Sequence, residues 1–133
     1  LIIFIYKIYM KITKFFFHII NLLFIIFYLY PGSILGFFIY NDFNKQPQVT
    51  SDFAFFSSNH VYAFLILSTL GLISYLDKKK FVISYFIFLS VILELFHLVI
   101  PNRSFQFYDL FGNIFGVLIS IIILNIYFYL RKK

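Results

Sequence analysis

Six residues with side chains suited to acid–base, anion-binding or metal chemistry lie in or beside apolar segments of this chain. They are His60, Glu94, His97, Arg103, Asp109 and Asn113. Glu94 and His97 form an E-x-x-H pair, which a helix places on one face, one turn apart. Glu94 also precedes Pro101 by about two helical turns, roughly 10 Å along a helix axis. An ionisable residue at that depth in an apolar segment is costly and requires polar partners.

The elements that position these residues are four apolar segments, each close to the ~20 residues that cross a bilayer as a helix. Of the 133 residues 62% are hydrophobic and 12% are charged, whereas a soluble domain carries about 25% charged residues. We therefore predict an all-α integral membrane four-helix bundle over residues 15–133, after a basic cytoplasmic or interfacial segment at 1–14. The predicted helices cover about 15–30, 60–76, 81–100 and 109–130.

The basic residues predict the orientation of the helices. One set of segment ends carries Lys7, Lys11, Lys14, Lys78, Lys79, Lys80, Arg131, Lys132 and Lys133, and the other carries only Lys45 and Arg103. By the positive-inside rule both termini are cytoplasmic.

We expect a multi-pass protein of a bacterial inner membrane with lipids as neighbours, and the charge of +6 requires no nucleic-acid partner. All six polar residues then lie near the outer side, and re-entry of 31–56 into the membrane stays open.

Small residues predict close helix contacts in the last segment. Gly112 with Gly116, and Gly116 with Ser120, form small-xxx-small pairs, which let helix backbones approach one another.

Three interpretations of the polar cluster compete. In the first, the cluster is structural and fixes helix packing. In the second, it is an outward-facing site: Arg103 holds an anionic group, Glu94 and His60 are the catalytic proton-handling residues, and the remaining three bind substrate. That last group is His97, Asp109 and Asn113. Arginine suits phosphate because its planar fork donates paired hydrogen bonds.

In the third interpretation the cluster binds zinc or iron through His60, Glu94, His97 and Asp109, since imidazole and carboxylate suit both metals. The pattern is weaker here, because helical carboxylate sites pair two E-x-x-H motifs. The chain has no cysteine and no phosphate-loop, G-x-S-x-G, H-E-x-x-H or dinucleotide-binding motif. The sequence names no cofactor and leaves open whether a reaction is catalysed.

The stretch from about His60 to Ser120 resembles the VanZ-like family of small bacterial membrane proteins. The family pattern is roughly E-L-x-Q, a short gap with proline, then R-x-F-x-x-x-D-x-x-x-N-x-x-G. Here the matching residues are Glu94, Leu95, Pro101, Arg103, Phe105, Asp109, Asn113 and Gly116, with Tyr30-Pro31-Gly32-Ser33 after the first helix. His60 matches the histidine that opens the family's second helix. The departures are His97 for the usual Gln, Ser58-Asn59 for Asp-Lys before the histidine, and Phe64 for Tyr one turn after it. The later small residue of the fourth helix is Ser120 here.

The resemblance implies a four-helix integral membrane protein. Our first function hypothesis is an envelope protein that handles or modifies a cell-surface or lipid-linked component. The founding member is associated with resistance to the glycopeptide teicoplanin, a role that does not transfer to this chain by likeness alone. The alternative is a non-catalytic membrane module that acts through helix contacts, with a partner protein or as a homo-oligomer.

Overall fold

The computed structural model describes residues 1–132, apart from the side chains of residues 2 and 3, and within that range every regular element is helical. The helices are α1 Ile2–Leu29, α2 Ile34–Tyr40, α3 Ser58–Ser74, α4 Lys79–Phe96 and α5 Phe107–Arg131, with a 3₁₀ turn at Leu76–Lys78. The all-helical fold class is thus confirmed. Lys133, which the sequence assigns to the basic C-terminal group, lies outside the described residues.

Two of the helices are long and apolar enough to cross a membrane by length and composition, Phe4–Leu29 and Phe107–Arg131. Large apolar side chains cover their outer faces, as Phe15 on α1 is 63% exposed and Ile122 on α5 is 56% exposed. Proteins in water rarely expose apolar patches of this extent. The other two long helices are α3, with 17 residues, and α4, with 18 residues and three charged side chains.

Helix α3 lies at the centre of the fold and packs against α1, α4 and, most extensively, α5. A methyl group added at Gly116 would collide with backbone atoms of Val61 and Leu65, so only a glycine permits this approach. Deeper in the same interface, Ser68 donates a hydrogen bond of 2.8 Å to Ser120 Oγ. The predicted close contact through the small residues of the last helix is confirmed.

The helix ends differ from the predicted ones in ways that local chemistry explains. α1 runs back to Ile2 without a break near residue 14. α3 begins at Ser58, where the Asp52 carboxylate accepts a hydrogen bond of 2.9 Å from the Ser58 amide. α4 ends at Phe96 rather than near residue 100. Beyond Phe96 the backbone forms a tighter turn, with hydrogen bonds between residues three apart. It then reaches Pro101, a residue that cannot extend a helix.

The segment between α1 and α3 contains the short helix α2. The Ser33 hydroxyl caps it by accepting a hydrogen bond of 2.8 Å from the Gly36 amide. Asn41 ends it in the left-handed conformation, with φ of 54°, which asparagine tolerates better than most residues. The large apolar side chain of Phe38 on α2 is 76% exposed.

Basic and polar residues lie at opposite ends of the packed helices. At one end, the Lys14 ammonium lies 4.7 Å from the centre of the Tyr75 ring, and the Lys79 ammonium lies 4.4 Å from the centre of the Phe128 ring. The middle of α1 therefore lies near the end of α3, and the start of α4 lies near the last turns of α5. The polar cluster occupies the other end, where α1 finishes and where α3 and α5 begin.

Candidate functional site

The fold brings together the residues that the sequence singles out. His60 Nδ1 lies 2.9 Å from Asn113 Oδ1, and His60 Nε2 lies 3.6 Å from Asp109 Oδ2. Glu94 Oε1 lies 3.4 Å from His97 Nδ1. Gly112 lets α5 approach α3 closely at this level, since a methyl group there would lie 3.0 Å from His60 Cβ. Convergence of the three helices is therefore a property of the fold.

Tyr28, at the end of α1, joins these side chains into one network, and sequence reasoning missed it. Its hydroxyl donates to Glu94 Oε2 at 2.7 Å and accepts from Asn113 Nδ2 at 2.8 Å. It also lies 3.0 Å from His60 Nδ1. One hydroxyl has one donor and two acceptor sites, so Tyr28 uses its full capacity. Among 11 tyrosines, nothing in the local sequence distinguishes this one.

Glu94 is fully buried and has several hydrogen-bond donors. Besides the Tyr28 hydroxyl on Oε2, the Gln106 amide donates to Oε1 at 2.9 Å. The same oxygen faces the His97 ring. A buried carboxylate is tolerated only with partners of this kind. Glu94 therefore ties the end of α4 to α1 and to the segment that leads into α5.

Both ring nitrogens of His97 face acceptors. Nδ1 faces the Glu94 carboxylate, and Nε2 lies 3.0 Å from the backbone carbonyl oxygen of Tyr28. An imidazole donates from both nitrogens only when it is a cation. The geometry thus suits a buried ion pair between His97 and Glu94, with the His97 ring stacked on the Tyr28 ring at a centroid distance of 4.9 Å.

Arg103 is held by backbone carbonyls and not by a carboxylate. Its Nε donates to the Tyr30 carbonyl at 3.1 Å and its Nη2 to the Gly32 carbonyl at 2.5 Å. Gly32 has φ of +136°, a conformation that side chains rarely adopt, so glycine permits this turn. Within residues 1–132 the ion pairs are His60–Asp109 and Glu94–His97. Partial burial lowers the pKa of Arg103 from its ordinary value.

Two cavities of about 170 and 260 Å³ flank Arg103 and share four lining residues. The smaller is largely apolar and lies beside the end of α1. The larger has only polar and charged residues in its lining, including His60, Arg103 and Asp109. The side chains of His60 and Asp109 are 20% and 18% exposed.

The site therefore has two layers. The inner layer is fully paired and consists of the buried Glu94, His97 and Asn113 with the partly buried Tyr28; Tyr28 and His97 also border the smaller cavity. The outer layer lines the polar cavity and consists of His60, Arg103 and Asp109. The sequence places all of these residues except Tyr28 at one level, but it does not separate the layers. The separation matters because the outer layer is the part that lines the polar cavity and so is the most accessible to a polar ligand.

One group of three residues has the geometry to hold a cation. His60, Glu94 and Asp109 each offer a ligand atom, and these atoms lie within 4.8 Å of one another. His97, which the sequence-based metal hypothesis included, is not in this group. Both of its nitrogens are directed at other acceptors.

Comparison of the chain with protein-family models, with curated proteins and with solved structures gives no match.

Proposed function

We propose that this chain is a VanZ-like protein of a bacterial inner membrane whose outward-facing site binds the anionic group of a lipid-linked or cell-wall component. In this proposal α1, α3, α4 and α5 span the membrane, and both termini are cytoplasmic. The separation of basic and polar ends along the helices supports that orientation, because Lys14 of α1 and Lys79 at the start of α4 lie at the same end.

The observation that carries the proposal is the state of Arg103. A guanidinium has five N–H donors, and two backbone carbonyls take one bond each from Nε and Nη2. The remaining donors belong to a positive charge that borders the polar cavity and has no carboxylate in ion-pair contact within residues 1–132. Such a group binds phosphate or carboxylate well, since charge-assisted hydrogen bonds are the strong ones.

The other residues take roles that follow from their layer. His60 and Asp109 line the cavity beside Arg103 and contact the bound group. Asn113 orients His60 through the 2.9 Å contact with its ring. Glu94 positions the inner layer through its donors, because it is buried behind the residues that line the cavity. This assignment moves Glu94 from the catalytic role that the sequence suggested to a structural one.

The second candidate is a membrane module without a ligand, in which the polar cluster only fixes helix packing. The observation that favours it is the paired inner layer, where Glu94, His97 and Asn113 are all buried and hydrogen-bonded. This candidate accounts for the inner layer but gives no function to Arg103 or to the cavity.

A binding measurement separates the two candidates. The full chain would be purified in detergent and titrated with a short-chain polyprenyl phosphate, followed by native mass spectrometry. Phosphatidylcholine, whose zwitterionic headgroup has no net charge, is the control. We expect one saturable site for the phosphate. Arg103→Gln should weaken binding by about 10-fold or more, as expected for the loss of charge-assisted bonds.

The matched control is Lys45→Gln, which removes a positive charge from the same outer region. Lys45 lies over the Tyr40 ring at 4.1 Å and does not line the polar cavity, so its removal should leave the affinity unchanged. Equal binding by Arg103→Gln and the unchanged chain, or equal binding of phosphatidylcholine, would favour the module without a ligand.

A further inference from the structure

The hydrogen bonds around His60 determine which of its nitrogens carries a proton. Asn113 Nδ2 faces the Ser90 carbonyl oxygen at 3.5 Å and the Tyr28 hydroxyl at 2.8 Å. Because both of these atoms accept hydrogen bonds, the side-chain amide of Asn113 must point its NH₂ group toward them. Asn113 Oδ1 is then the atom that faces His60 Nδ1. The Tyr28 hydroxyl donates its proton to Glu94. The Tyr28 hydroxyl oxygen must therefore act as an acceptor toward His60 as well. Both neighbours of Nδ1 are acceptors, and Nδ1 must be the donor.

This assignment leaves Nε2 directed at a carboxylate across the cavity wall. In a neutral His60 with its proton on Nδ1, the Nε2 lone pair faces Asp109 Oδ2 at 3.6 Å. Two electron-rich atoms this close are stabilised by a proton or a cation between them. The proton can be held by Nε2 or by the Asp109 carboxyl group, or a metal cation can bind both atoms.

We propose a divalent transition-metal site between the two layers, with His60 Nε2 and Asp109 of the outer layer and the buried Glu94 carboxylate behind them as its protein ligands. Two ligands bound to a tetrahedral zinc ion at about 2.0–2.1 Å lie about 3.3 Å apart, close to the observed 3.6 Å between His60 and Asp109. The Glu94 ligand atom lies within 4.8 Å of the other two. Its Oε2 accepts one hydrogen bond, from Tyr28, and so keeps a lone pair.

The surroundings of His60 match those of metal-binding histidines. Such a histidine usually donates its other ring N–H to a protein acceptor, which fixes the ring and its tautomer. Here Asn113 and Tyr28 accept from Nδ1. The imidazole ligand favours zinc or a similar ion over magnesium, which prefers oxygen ligands and retained water. Remaining coordination positions would be open to the polar cavity.

The inference deepens the proposed function, because a cation beside Arg103 would add positive charge where the anionic group binds. The metal site needs no lipid, however, and can be measured on its own. The two proposals can therefore fail separately.

The test is zinc titration of the full, untagged chain in detergent against a competing fluorescent chelator. We expect one zinc per chain, weak competition by magnesium, and X-ray absorption that reports one nitrogen ligand with oxygen ligands. His60→Ala and Asp109→Asn should each weaken zinc binding by at least about 10-fold, because the loss of a residue that only hydrogen-bonds to a metal ligand already weakens metal binding by that factor. Thermal unfolding of each variant would verify that it is folded.

The matched control is His18→Ala, which removes a histidine at the other end of the bundle, where Nε2 is bonded to the Tyr75 hydroxyl at 2.7 Å. It should bind zinc as tightly as the unchanged chain. If His60→Ala is folded and keeps its zinc affinity, or if no saturable binding occurs, the metal proposal is overturned and a proton lies between His60 and Asp109 instead. Arg103→Gln should keep zinc binding while it loses the phosphate, which distinguishes the two proposals.

Discussion

The Tyr28 hydroxyl donates a 2.7 Å hydrogen bond to Oε2 of Glu94, which lies 66 residues further along the chain. This bond joins the end of α1 to the end of α4 within the inner layer. The hydroxyl also accepts a hydrogen bond from Asn113 on α5 and contacts His60 on α3. A single side chain thus connects all four long helices at the level of the candidate site.

Removal of this hydroxyl should destabilise the protein without removing any charge. In Tyr28→Phe, Glu94 Oε2 loses its donor and the Asn113 amide loses an acceptor in a buried environment. We expect the free energy of unfolding to fall by about 1–3 kcal/mol, measured by unfolding in sodium dodecyl sulfate. The control is Tyr30→Phe, since the Tyr30 ring packs on Phe43 outside the network. Equal stability of the two variants would contradict a central role for Tyr28.

Replacement of Glu94 by glutamine should be more damaging than its small change in shape suggests. The amide nitrogen cannot accept from the Tyr28 hydroxyl or the Gln106 amide, and His97 loses its ion-pair partner. The loss of one partner of a buried pair costs about 3 kcal/mol or more. The same unfolding assay would compare Glu94→Gln with Asp77→Asn, in which an exposed carboxylate is neutralised. We expect little change for Asp77→Asn, and a similarly small change for Glu94→Gln would refute the role assigned to the inner layer.

The contact between α3 and α5 should be intolerant of a single added methyl group. In Gly116→Ala, the new Cβ would meet backbone atoms of Val61 and Leu65, which cannot move independently of their helix. Overpacking of this kind costs about 1–3 kcal/mol. Leu118→Ala on the same helix changes a side chain that is 47% exposed and should cost less. A stability ranking in the reverse order would contradict the close approach of the two helices.

The proposed orientation is testable because the chain has no native cysteine. Asn44→Cys, in the segment between α2 and α3, should react with a membrane-impermeant maleimide in intact spheroplasts. Lys132→Cys should react only after the membrane is permeabilised, because the basic end of the bundle is proposed to be cytoplasmic.

Ser68→Cys, buried between α3 and α5, serves as the unreactive control for that labelling. Reaction of Lys132→Cys in intact spheroplasts would reverse the proposed topology. Reaction of both exposed positions only after permeabilisation would likewise contradict an outward-facing cavity.

Helix content and the placement of most polar residues could be predicted because they depend on local properties. Apolar segments of about 20 residues and the helical period put Glu94 and His97 on one face, and proline ended the predicted third helix only a few residues late. The start of α3 was predicted within two residues. The extension of α1 back to Ile2 was not predicted, because Lys7, Lys11 and Lys14 suggested a separate interfacial segment. The helical period continues through those lysines without a residue that would stop it.

By itself, the sequence determined that the chain is helical, that its apolar length exceeds what one small core needs, and that Gly116 belongs to a close helix contact. These properties follow from composition and from residues within a few positions of one another. Only the tertiary structure decided that Tyr28 is the centre of the site, that backbone carbonyls and not carboxylates hold Arg103, and that His60 Nδ1 is the donor. Each of these depends on which polar atoms meet across helices, and that is set by the distance at which the helix backbones pack.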